Sequence, residues 1–341
     1  MRAMLLRSTT RLDVNPAPLE LAHVDDPVPA DDEILIRVSA CGVCHTELDE
    51  IEGRTPPPAL PIIPGHEVIG QVVAAGDLCS RFVIGDRVGV GWIHSSDGSD
   101  TENISDAFRA TGRDANGGYA ELMTVAENYA CPIPDAFDDV EAAPLMCAGA
   151  VGYRSLRLTG LENGQVLGLT GFGGSGHLVL QLCKYLYPES PVFVFARSDT
   201  EQQFAIELGA DWSGDTEDRP PEPAHAIIDT TPVWKPVIAA LERLRPGGRL
   251  VINAIRKEDS DRQLLAGIRY EDHLWLEKEL KTVANVTRRD IAEFLPIAAD
   301  IPLHVATETY PLESANQALL DLRNGDIRGA KVLKIDNKNR S

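Results

Sequence analysis

The sequence predicts an α/β protein in two parts, a mainly β segment at the amino end followed by a doubly wound parallel sheet. Three observations carry this. Short apolar runs separated by Pro, Gly and Asp clusters fill the chain up to about residue 150. From Ala142 the apolar spacing becomes helical, and strand-like and helix-like stretches then alternate to about residue 285. A glycine-rich turn, Gly171-Phe172-Gly173-Gly174-Ser175-Gly176, stands between the first of those strands and an apolar helix.

Taken in order, Glu33 to Val38, Val68 to Val73 and Arg87 to Val90 are alternating or apolar runs of strand length, which suggests a barrel or a partly open antiparallel sheet. Helical spacing covers Leu145 to Leu158. Strands are then expected at Gln165–Thr170, Pro191–Ala196, Ala226–Asp229 and Gly248–Asn253, each a short apolar run suited to a strand covered on both faces, with a helix over His177–Leu186. Helices around Arg289–Ala299 and Leu312–Asn324 and a strand at Ala330–Ile335 close the chain. This tail holds no new core-sized segment, so it is expected to return to the first part. The resulting domains are 1–148 with 286–341, and 149–285.

The chain has 341 residues, and 43% of them are hydrophobic, enough for a core in each part. Its 32 basic and 52 acidic residues leave a formal charge of -20, which repels phosphate backbones and anionic membrane surfaces. Nucleic acid and membrane are therefore not expected partners. The amino end lacks a signal-like apolar run and no stretch of about 18 apolar residues occurs, so a soluble, cytoplasmic protein is expected. Six scattered cysteines fit a reducing compartment.

The glycine turn carries the first piece of chemistry. Gly171, Gly173, Gly174, Ser175 and Gly176 follow a strand and open a helix, where glycines let the backbone approach a pyrophosphate and the helix end offers free N–H groups. The acid that would bind the ribose hydroxyls of NAD belongs about 20 positions further on. That place reads Ala196-Arg197-Ser198. The missing carboxylate and the forked donor of Arg197 favour NADP, while Asp199, one turn away, leaves NAD possible.

The second piece is a metal site. Cys44 in Cys41-Gly42-Val43-Cys44-His45-Thr46 and His66 in Gly65-His66-Glu67 supply a sulfur and an imidazole, with Cys147 as candidate third ligand; three protein ligands and an open fourth position make a catalytic zinc. Cys41 and Cys44 also form a C-x-x-C pair, open to reading as a redox dithiol or half a zinc knuckle, but no second pair completes a knuckle. Cys41, Cys79, Cys131 and Cys183 are expected to be buried small hydrophobes in strands or helices.

In this order, Cys44-His45-Thr46, Gly65-His66-Glu67-x-x-Gly70-x(5)-Gly76, Gly85-Asp86-Arg87-Val88, Cys147 and the Gly171–Gly176 turn resemble the zinc-dependent alcohol dehydrogenases of the medium-chain dehydrogenase/reductase family. The resemblance spans nearly the whole chain. It implies a GroES-like catalytic domain built from both chain ends, an inserted Rossmann domain, and a homodimer or homotetramer acting on a small alcohol, aldehyde or ketone. It also implies that Cys44, His66 and Cys147 hold the zinc, that Glu67 is a possible exchange ligand, and that Glu47 orients the zinc-bound histidine. By the same resemblance Thr46 takes the alcohol proton, His45 lies near the cofactor phosphates or ribose, and Arg328 reaches the pyrophosphate.

Two departures follow. The family's lobe of four cysteines is replaced by Trp92 to Asn103, which has none, so one catalytic zinc per chain and no structural zinc is expected. His94, Asp97 and Asp100 there read more readily as a solvated loop than as a weak cation site. Asp49 stands where well-known members place a histidine, and a carboxylate is a poorer proton store at neutral pH, so the proton is expected to leave to water directly or through His45. Ile51–Pro58, Trp92–Ile93 and the region of Val286 are expected to line the substrate pocket, and Tyr153 and Asn253 the cofactor cleft. The expected activity is hydride transfer between alcohol and NADP(H). The alternatives are reduction of an activated C=C bond, or a cofactor-binding protein without catalysis.

Overall fold

Strand Glu33–Val43 sets the first sheet: burial alternates residue by residue from Glu33 to Ala40, as a strand with one covered face requires, and then stays continuous to Val43. The structure, a computed structural model, describes residues 1–301, 303–325 and 329–336. These divide into two compact units, one of Met1–Ala150, Asn285–Ala299 and Val305–Ser341, the other of Val151–Ala284 and Asp300–His304.

In the first unit Glu33–Val43 pairs antiparallel with Val68–Ala75, Leu122–Ala126 and Ala330–Lys334; Thr307–Pro311 runs parallel to the last of these. Arg87–Val90 and Ala130–Pro132 extend the same sheet beyond Val68–Ala75. The carboxyl-terminal strand is thus a central member of an amino-terminal sheet. Ile34, Ile36, Val38, Val68, Val72, Val88 and Leu333 are fully buried in its core.

In the second unit six parallel strands lie in the order Trp212–Gly214, Val192–Phe195, Leu167–Thr170, Ala224–Asp229, Leu244–Ile252 and Glu279–Thr282. Strand order reverses between Leu167–Thr170 and Ala224–Asp229, the switch point of a doubly wound sheet. Leu167–Thr170 and Val192–Phe195 are buried throughout, so their continuous apolar sequence has a cause in two covered faces. Phe193, Phe195, Ile227, Val237, Leu241 and Leu250 pack together beside them. Among the described residues no helix is long and apolar enough to cross a membrane.

The expected doubly wound sheet and mainly β part are both present, with two local differences. Cys79 does not sit in an apolar strand or helix. It lies half-buried in the turn after Val68–Ala75, its N–H bonded to the Gly76 carbonyl and its sulfur 3.3 Å from the Glu33 carbonyl, because Asp77, Leu78 and Ser80 around it face solvent or the turn. Helical spacing over Leu145–Leu158 is interrupted at Cys147, which separates a 3-10 turn, Ala143–Met146, from the helix Ala148–Thr159.

Candidate metal centre

The buried end of Glu33–Val43 delivers Cys44, in extended conformation, to the amino terminus of the seven-residue helix His45–Ile51. Three residues into that helix Glu47, fully buried, turns back. Its Oε2 accepts from the Cys44 N–H at 2.9 Å, and its Oε1 lies 2.5 Å from His66 Nδ1. A buried carboxylate is costly unless bonded, and here both oxygens are used. With Nδ1–H given to Glu47, the lone pair of His66 lies on Nε2. That atom is buried and has no hydrogen-bond partner.

Backbone shape brings the neighbours in. Gly65 has φ +100°, and a Cβ there would fall 2.3 Å from the buried Tyr119 ring. At Gly42 an added Cβ would fall 1.7 Å from Glu67 Oε2. Glycine at these two positions lets the His66-Glu67 step approach the Cys41–Val43 strand end, where the Gly42 N–H donates to the Glu67 carbonyl at 2.9 Å. Cys147 arrives from the 3-10 turn before Ala148–Thr159. The ligating atoms of Cys44, His66, Glu67 and Cys147 all lie within 4.8 Å of one another.

The electrostatics are those of a concentrated donor set. The Cys147 S–H bonded to Cys44 pushes the Cys44 thiol well below its ordinary range, against burial, and the His66 ring adds to the effect. Cys147, on the other side of that bond, is pushed well above its range. Burial and then the Cys44 sulfur raise Glu67 well above the usual carboxylate range. Burial opposes charge on His66, but Glu47 and Cys44 together outweigh it and raise the ring. Two half-buried sulfurs, a buried imidazole with an orphaned ring nitrogen and one buried carboxylate, all in one cluster, suit a tetrahedral zinc.

Thr46 is buried with Oγ1 3.7 Å from Cys44 Sγ, so its hydroxyl belongs to the cluster. His45, next to it, is exposed. Asp49 is buried and accepts from Arg54 Nε at 2.5 Å, a partner that sequence reasoning did not assign. Trp92 stands with its ring 6.2 Å from that of His66 and donates its indole N–H to Glu50 at 3.3 Å. Glu50, only 2% exposed, was not singled out by the sequence, and every residue from Thr46 to Ile51 is buried. His94 is buried and Asp97 exposed, and among the described residues these two do not join Asp100 in any metal-sized group.

In the second unit Gly171, with φ +82°, follows Leu167–Thr170, and Ser175 immediately precedes the helix Gly176–Leu186. Gly173 has open space where a Cβ would be, and a Cβ on Gly176 would fall 2.7 Å from the Gly171 carbonyl oxygen. Gly174 lies between them in the turn. Arg197 is exposed just beyond Val192–Phe195; the Ser198 hydroxyl is engaged in capping the helix Asp199–Glu207, accepting from the Glu201 N–H at 3.2 Å. Tyr153 is buried beneath Arg157, and Asn253 leaves a buried amide nitrogen without a partner at the end of Leu244–Ile252. Arg328 lies outside the described residues.

Residues 30–135 match the model of the alcohol dehydrogenase GroES-like domain. A probable alcohol dehydrogenase AdhA of Mycobacterium tuberculosis is 40% identical over 346 aligned residues, covering 98% of this chain and 97% of that protein. Two solved structures share the fold at a TM-score of 0.83. One is a cobalt- and zinc-bound thermostable alcohol dehydrogenase from Pyrobaculum aerophilum, 23% identical over 98% of this chain and 99% of that one. The other is CAD from Helicobacter pylori complexed with NADP(H), 21% identical over 99% of each.

Glu47→Gln tests the dual role of the carboxylate. The amide keeps one acceptor and presents N–H to the other donor, so zinc affinity is expected to fall about 10- to 100-fold, read by competition with a chromophoric chelator. An unchanged affinity would show that His66 is oriented without Glu47.

Proposed function

This chain belongs to the zinc-type alcohol dehydrogenases of the medium-chain dehydrogenase/reductase family, and from that premise we propose that it interconverts a small alcohol and its aldehyde or ketone with one zinc per chain and NADP(H). The observation that carries the reading is the convergence of half-buried Cys44 and Cys147 with buried His66 and Glu67 around an imidazole nitrogen without a partner. Cys44, His66 and Cys147 would hold the zinc, with Glu67 as exchange ligand. The unit built from both chain ends is the catalytic domain, and the Val151–Ala284 unit carries the dinucleotide.

When bound, zinc supplies a Lewis acid for the substrate oxygen and the nicotinamide exchanges hydride with the carbinol carbon. The protein's own groups do the rest. Glu47 fixes the His66 tautomer and orientation. Thr46 Oγ1 takes the proton of the alcohol and passes it outward. Because the Asp49 carboxylate is bonded to Arg54, exit through the exposed His45 or directly to water is favoured over storage on Asp49.

NADP(H) preference rests on Ala196-Arg197 at the carboxyl end of Val192–Phe195, where no acid repels a 2′-phosphate and an exposed guanidinium is present. NAD(H), served through Asp199, is the lesser reading. A homo-oligomer is supported by the sheet edge Glu279–Thr282, exposed along its length beside exposed Tyr270, Leu274, Trp275 and Leu280.

Two measurements check these points. Arg197→Ala is expected to weaken NADPH binding about tenfold, the loss of one charge-assisted contact, and to leave NADH nearly unchanged, read by nicotinamide fluorescence. Equal losses for both would contradict NADP(H) preference. Light scattering is expected to give a dimer or tetramer that Trp275→Glu dissociates, and a monomeric parent protein would contradict the assembly.

A further inference from the structure

The carboxyl ends of three strands in the second unit carry polar groups that the proposed chemistry does not use. Thr170, Asp229 and Ile252 lie side by side in the register of Leu167–Thr170, Ala224–Asp229 and Leu244–Ile252, and Gly171, Thr230 and Asn253 follow them. The Asn253 N–H donates to the Asp229 carbonyl at 2.7 Å, and a Cβ on Gly171 would fall 2.8 Å from Thr230 Oγ1. These residues therefore share one edge with the start of the glycine turn. Strand order reverses here, and a dinucleotide lies across such a switch point with one mononucleotide on each side. With the adenosine half beside Val192–Phe195, where Arg197 follows, the nicotinamide half falls to the ends of Ala224–Asp229 and Leu244–Ile252.

Asp229 is fully buried, and both its oxygens are engaged within the protein. Oδ1 accepts from the Thr170 hydroxyl at 2.6 Å and the Thr231 hydroxyl at 2.8 Å, and Oδ2 pairs with the Lys257 ammonium. Lys257, with its side chain 8% exposed, also donates to the Thr231 carbonyl. An ammonium has three N–H bonds, and these two acceptors take two of them. Asn253 supplies a second donor at the same edge: its Nδ2 is buried and has no hydrogen-bond partner. A buried donor left unmatched costs stability, a breach characteristic of functional sites, where a ligand supplies the acceptor.

We infer that Lys257 and Asn253 bind the nicotinamide half of the dinucleotide, donating to its ribose hydroxyls and the phosphate next to them. Asp229 does not touch the cofactor; it is a positioning residue that fixes the ammonium. The inference rests on the dinucleotide reading of the glycine turn. It does not rest on NADP(H) over NAD(H), because the nicotinamide half is common to both.

The test is titration calorimetry of the full chain with NADPH and with adenosine 2′,5′-bisphosphate, which keeps the adenosine half and lacks the nicotinamide half. One variant is Asn253→Ala. The other combines Lys257→Met with Asp229→Asn, which removes both buried charges together and leaves no uncompensated carboxylate. Each is expected to bind NADPH about tenfold more weakly and the bisphosphate as wild type does. Asn253→Ala is also expected to match or exceed the wild-type Tm, since it removes an unmatched donor. Equal losses for the two ligands would mean damage to the fold and overturn the inference, as would wild-type NADPH binding in either variant or a lowered Tm for Asn253→Ala. Should NADH bind more tightly than NADPH, NADH and adenosine 5′-monophosphate take their places. A wild type that binds neither dinucleotide contradicts the dehydrogenase reading, and this inference with it.

Discussion

The first unit depends on one carboxylate. Glu47 gives one oxygen to the Cys44 N–H and the other to His66 Nδ1, tying together residues from two distant stretches of chain. A single oxygen left unbonded would bury an uncompensated acceptor, at a cost of roughly 1–3 kcal/mol or more for a charged group. Because both are engaged, the helix His45–Ile51 starts in a fixed place and the imidazole turns its free nitrogen toward Cys44, Glu67 and Cys147. Gly42 and Gly65 serve the same end by removing the Cβ atoms that would hold Glu67 and Tyr119 off.

The second unit shows the same use of a buried charge in another place. Asp229, fully buried at the end of its strand, accepts from the Thr170 hydroxyl at 2.6 Å and the Thr231 hydroxyl at 2.8 Å and pairs with Lys257, whose side chain is itself nearly buried. Removing one partner of such a pair costs about 3–5 kcal/mol, so the group fixes the switch-point end of the sheet next to the Gly171 turn. Both units thus position a loop with a carboxylate whose oxygens are all spoken for.

Much of this was legible in the sequence, for identifiable reasons. Cys44, His66 and Cys147 stand out because thiol and imidazole donors are few and their neighbouring glycines mark close backbone approach. Leu167–Thr170 and Val192–Phe195 stand out because strands covered on both faces are apolar throughout. Trp212–Gly214 and Glu279–Thr282 were not legible, since a three-residue strand and an exposed edge carry little periodicity. The burial of Asp49 and Glu50 was hidden because their partners, Arg54 and Trp92, are fixed by folding rather than by spacing. The Asp229–Lys257 pair, 28 positions apart, escaped for the same reason.

The central claim is that Cys44, His66 and Cys147 form one zinc centre. X-ray absorption at the zinc edge, together with metal analysis of the purified full chain, tests it most directly. The expected result is one zinc per chain with two sulfur neighbours at about 2.3 Å and at least one imidazole nitrogen at about 2.0–2.1 Å. A chain that binds no zinc, or a zinc shell without sulfur, would contradict it.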